Sequence, residues 1–143
     1  MLAAVNEQRA ALGEPLLPAG ERSGPALGRA SVTAVLAAVD AGREPLRDAL
    51  RTATRYLLDA LAERAPGRAV EVRVPPFAAV QCIAGPRHTR GTPPNVVETD
   101  PLTWLALATG RLDWGAAAAS GKLRASGPRA DVSGYLPLVR SRP

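Results

Sequence analysis

The order of local patterns in this sequence predicts an α+β domain: two helices, three strands, two short helices, one strand and a last helix. Three observations carry the prediction. Leu46, Leu50, Ala53, Leu57 and Leu61 recur at helical spacing after Pro45. The period then switches to two, with Val70, Val72 and Val74 alternating with Glu71 and Arg73. Finally, residues 100–127 hold two helix caps, two glycine stops and a short strand pattern within one compact stretch.

Along the chain, the first thirty or so residues are broken by Gly13, Pro15, Pro18, Gly20, Gly24, Pro25 and Gly28. Such punctuation disfavours a long element, so 1–28 reads as a flexible arm with one helical turn near Glu7 to Leu12, and 29–143 as a single domain. Ser31 is placed to cap a helix running to Asp40, with Val32, Val35, Leu36 and Val39 on one face. Ala41-Gly42 interrupts it. The strongest helix covers 45–65 and stops at Ala65-Pro66-Gly67.

The next element is a strand over 69–74. Pro75-Pro76 cannot donate to a ladder and turns the chain. Phe77 to Ile83 is a nearly continuous apolar run, which reads as a central strand. Gly85 to Pro94 forms a polar loop, and Asn95 to Thr99 a third strand. Asp100 can cap a helix whose first residue is Pro101, because proline has no N–H to lose there. Gly110 ends that helix, Asp113 caps a shorter alanine-rich one, and Gly121 leads into a strand at 122–126. Ala130 to Leu138 completes the pattern as a C-terminal helix ended near Pro137.

Composition bounds the function. The chain has 143 residues, 46% of them apolar but only 3% aromatic, so each large apolar side chain carries more of the core. Its net charge is +5, and the basic residues are almost all arginine, with Lys122 the only lysine. The charges are dispersed among acidic residues and do not interleave with aromatics, so a nucleic-acid partner is not expected. Cys82 is alone and can form no internal disulfide. No apolar stretch approaches the roughly 20 residues that span a bilayer, and the N-terminus lacks a signal-peptide core. A soluble, cytoplasmic protein is the expectation.

No catalytic constellation stands out. His88 is the single histidine, and no cysteine, histidine or carboxylate cluster has metal-ligand spacing, so neither metal nor cofactor is expected. Ser120-Gly121 lacks the nucleophile-elbow pattern, and the glycines lack phosphate-loop spacing. Cys82 reads as a small buried hydrophobe. Arg87, His88 and Arg90 form a basic loop, either simply solvated or offering the forked donors of its arginines to a phosphate or carboxylate.

The stretch Gly110 to Gly127, read as G-x-L-D-x3-A-x2-S-G-K-L-x3-G, resembles the closing segment of the sterol carrier protein family. Val72 to Gln81 and Asn95 to Pro101 resemble a bacterial branch of that family in particular. The resemblance runs from about Leu46 to Val139. It implies a mostly antiparallel sheet covered by helices, five-stranded in the family against four strands found here. It also implies a non-catalytic role in lipid binding or transport, with a hydrophobic tunnel between sheet and helices for a fatty acyl chain or sterol. The lining on that reading is Phe77, Val80, Trp104, Leu105, Leu112, Trp114, Leu123, Tyr135 and Leu136, although the same side chains could simply fill a core. An apolar chain of about 12–16 methylenes would gain roughly 0.8 kcal/mol for each one buried. Partners would be a lipid or other apolar small molecule, with transient contact at a membrane surface. The alternative is a closed-core protein-interaction or enzyme-accessory module with no lipid.

Overall fold

A computed structural model describes residues 24–85 and 95–139. Among the described residues there are four α-helices and one four-stranded sheet: α1 (Gly24–Asp40), α2 (Arg47–Arg64), β1 (Val70–Val74), β2 (Ala78–Cys82), β3 (Asn95–Thr99), α3 (Pro101–Ala108), α4 (Trp114–Ala119) and β4 (Leu123–Ser126). The chain divides into two units between Tyr56 and Leu57.

The first unit holds α1 and the opening turns of α2. α1 begins at Gly24, well before the expected cap at Ser31. Ser31 is an interior residue instead, its buried hydroxyl donating to the Leu27 carbonyl at 2.7 Å. A serine that bonds back one turn satisfies itself inside a helix, so it need not mark a start. Residues 24–28 of the expected arm are therefore helical, and residues 1–23 lie outside the described part. Gly28 rests against the ring of Tyr56, where a Cβ would overlap the side chain. The glycine thus gives α1 and α2 a close approach at this point.

The second unit begins with the last turns of α2. Leu57, Leu58 and Leu61 are fully buried there, as are Val70, Val72 and Val74 of β1. Burial of each such side chain stabilises by about 1.5–3 kcal/mol. The strands lie in the order β2-β1-β3-β4. β1–β2 and β3–β4 are antiparallel, while the central pair β1–β3 is parallel, with Val72 opposite Val97. β1 and β3 both alternate buried with half-buried residues, so one face looks into the core. The other face carries Glu71, Arg73, Glu98 and Arg124. Arg73 Nε donates to Glu71 at 3.0 Å, and this partner raises the pKa of the guanidinium further.

Two further expectations need correction. The run Phe77 to Ile83 gives β2 at a sheet edge among the described residues, not at the centre. Its alanines and Gln81 are small or polar, and the alternating burial matches a strand covered on one side. The C-terminal helix is not formed. Residues 130–138 hold only one 3-10 turn, Ser133–Tyr135. Asp131 accepts from the Ser133 amide at 2.9 Å, a local turn that competes with helix, and Gly134 and Pro137 disfavour its extension.

Buried Asn95 ties the sheet to the C-terminal segment. Its amide nitrogen donates to the Ala69 carbonyl at 2.8 Å, and its oxygen accepts from the Arg129 amide at 2.8 Å. One side chain thus joins the starts of β1 and β3 to the residues after β4.

Candidate functional site

The site begins with α3. The Asp100 carboxylate accepts from the Thr103 amide at 3.0 Å and from its hydroxyl at 2.5 Å, while Pro101 takes the first helical position. The helix is almost wholly apolar, with Trp104, Leu105, Leu107 and Ala108 buried. At its far end the Arg111 and Leu112 amides donate to the Ala106 carbonyl at 2.8 and 3.2 Å. That closure turns the chain at Gly110 and brings Leu112 beside the helix it has just left. Asp113 then caps α4 through the Ala116 amide at 3.2 Å, which places Trp114 in the first turn.

The C-terminal segment returns to the same place. The Leu138 and Val139 amides donate to the Ala108 carbonyl at 2.8 and 3.2 Å. Arg64, in the last turn of α2, donates to the carbonyls of Tyr135 at 3.0 Å, Pro137 at 2.9 Å and Leu138 at 3.3 Å. Asp131 accepts from both the Ser133 hydroxyl and its amide, and these bonds pull the carboxyl below its ordinary pKa.

Between these pieces lies a partly enclosed cavity of about 250 Å³, lined by Leu107, Gly110, Leu112, Asp113, Trp114, Ser133, Leu136 and Pro137. Apolar side chains form most of its wall. Asp113 is engaged as a helix cap and Ser133 in the Asp131 turn, so the polar lining groups already serve the backbone. Such a space can receive an apolar group against Leu107, Leu112, Trp114, Leu136 and Pro137. A second depression, of about 270 Å³, lies among Pro75, Glu98, Thr99, Asp100, Gly121, Lys122 and Arg124. Both signs of charge line it, with Pro75 as its one apolar side chain.

Of the residues expected from sequence to line a tunnel, Leu112, Trp114 and Leu136 are brought together at this cavity. Trp104, Leu105 and Leu123 are buried and do not line it. Phe77 and Val80 lie half-buried at the β1–β2 turn and on β2, and Tyr135 is exposed. Arg87, His88 and Arg90 lie outside the described residues. Sequence reasoning missed Leu107, Pro137 and Arg64. Leu107 had a signal, since it belongs to the same apolar helix as Trp104.

Cys82 is buried at the end of β2, and burial pushes its thiol up to about 11. At neutral pH it is therefore a protonated thiol, unsuited to nucleophilic attack. Among the described residues no three histidine, cysteine or carboxylate groups are placed to hold a metal ion, and no helix is long and apolar enough to cross a membrane.

A family model described as the bacterial SCP ortholog matches residues 46–138. The matched stretch runs from just before α2 to the end of the segment that walls the cavity, and α1 lies ahead of it. No curated protein matches the chain.

Proposed function

The chain belongs to the bacterial sterol carrier protein family, and from that premise we propose that it is a non-catalytic carrier of a slender apolar ligand such as a fatty acyl chain. The observation that carries this reading is the 250 Å³ cavity walled by Leu107, Leu112, Trp114, Leu136 and Pro137. At the roughly 30 Å³ that a water-sized group occupies in a liquid, it holds on the order of eight methylene-sized groups. Filling it would contribute about 6 kcal/mol before the costs of association, at roughly 0.8 kcal/mol per methylene. That is shorter than the acyl chain of 12–16 methylenes expected from sequence, so the cavity takes a short chain or one end of a long one.

Binding without chemistry is consistent with a lining whose polar groups, Asp113 and Ser133, are committed to a cap and a turn. A cytoplasmic setting and brief contact with a membrane surface fit such a carrier. Native mass spectrometry of freshly purified protein tests the reading. A co-purifying lipid, or a one-to-one adduct with added octanoate or decanoate, supports it. A persistently bare mass with both acids contradicts it and favours the closed-core interaction module.

A further inference from the structure

We propose that Arg64 is a latch that holds residues 133–138 as a strap over the apolar cavity and so sets the length of chain the cavity accepts. The inference rests on the carrier reading, and deepens it by naming the residue that controls the size of the site.

Three observations support it. The strap has buried anchors at Val132 and Leu138, whereas the residues between them are half-buried or exposed. Little apolar burial therefore fixes its middle, and such stretches open at low free-energy cost. That middle contributes Ser133, Leu136 and Pro137 to the cavity wall, so its position defines the enclosed volume. Arg64 then reaches from the end of α2, about seventy residues earlier in sequence, and places its fork on three peptide carbonyls of the strap.

All three acceptors are main-chain oxygens. Arg64 thus fixes where the strap runs rather than recognising a side chain in it. A planar guanidinium can serve several acceptors at once, which the single ammonium of lysine does less well. The Ala108 carbonyl, which accepts from Leu138 and Val139, secures only the strap's far end. Releasing Arg64 should let Leu136 and Pro137 swing outward while the core beneath stays packed.

Arg64→Gln and Arg64→Lys test the latch in the full chain, with three readouts. Without ligand, acrylamide quenching of Trp114 emission should rise about twofold in Arg64→Gln as the wall opens. Exchange of the Tyr135 and Leu136 amides, which bond within the middle of the strap, should accelerate about tenfold, the size of one net hydrogen bond. With straight-chain acids from butanoate to hexadecanoate, wild-type affinity should level off near about eight carbons, and the variant's plateau should move to longer chains. Arg64→Lys should follow Arg64→Gln, because it keeps the charge and loses the fork. If Arg64→Gln does not fold, Arg64→Lys carries the test.

Quenching, exchange and plateau all matching wild type in the folded variants would overturn the latch. So would an Arg64→Lys protein indistinguishable from wild type. If the wild-type chain binds no acid at all, the carrier reading fails, while quenching and exchange still decide whether Arg64 holds the strap.

Discussion

Gly67→Ala should be among the most damaging single changes outside the hydrophobic core. Gly67 has φ of +149°, and a Cβ there would fall on the carbonyl of Ile83 and the amide nitrogen of Ala84. Both obstacles are backbone, so no side chain can turn aside. The backbone they belong to is already strained: Ile83 is β-branched and has φ of +66°. It is held there by its amide donating to the Ala65 carbonyl at 2.6 Å and its carbonyl accepting from the Ala69 amide at 2.9 Å. An alanine at 67 must push this joint apart. Backbone strain of about 1–3 kcal/mol and two hydrogen bonds of about 0.5–1.5 kcal/mol each give a cost of roughly 2–6 kcal/mol. Gly121→Ala is the control, since Gly121 also has positive φ, +78°, but open space around its Cβ. It should cost only about 1–2 kcal/mol. Urea unfolding of the three proteins would show the difference as a midpoint shift, given a slope of about 1–3 kcal/mol per molar. A Gly67 variant no less stable than the Gly121 variant would refute the reasoning.

Leu57→Ala removes a fully buried side chain and should lower unfolding free energy by about 2–5 kcal/mol in the same assay; a loss below about 0.5 kcal/mol would put that position outside the core. A chain beginning at Gly24 should keep the unfolding midpoint of the full chain, because the arm before it is proposed to be dispensable. Removing residues 24–28 as well takes away buried Leu27 and Gly28 and should lower the midpoint, and equal midpoints would contradict that packing role. Native Cys82 should resist thiol reagents at pH 8. Because the folded thiol titrates near 11, the unfolded state loses its proton first, so stability should fall as pH rises from the ordinary thiol range towards 11. Cys82→Ala should flatten that decline, and an unchanged pH profile would show that the thiol is not its source.

The elements legible in the sequence are those fixed by neighbouring residues. Asp100 and Asp113 bond amides three residues ahead, so their caps follow from spacing alone. β1 and β3 declare themselves by alternation. Ser31 misleads because a serine that caps and one that bonds back along a helix look alike in one dimension. The edge position of β2 depends on β3 pairing in parallel with β1, which no local pattern encodes. The cavity is half visible: Leu112 and Trp114 flank a recognisable cap, and Leu136 belongs to the same expected lining. Its closing wall is not, since residues 130–138 read as a helix. Arg64 looks like an ordinary basic residue in a last helical turn, and only the fold brings the carbonyls of 135–138 to its fork.

The carrier reading is tested most directly by Trp114 emission, because this indole lines the cavity while Trp104 is buried elsewhere. Single-tryptophan chains, Trp104→Phe and Trp114→Phe, should be titrated with straight-chain acids of increasing length. The Trp104→Phe chain should show a saturable change in emission, with affinity rising about fourfold per added methylene and levelling off near about eight carbons. The Trp114→Phe chain should respond weakly or not at all. No response in either chain at any length, or affinity independent of chain length, would contradict an apolar carrier site at this cavity.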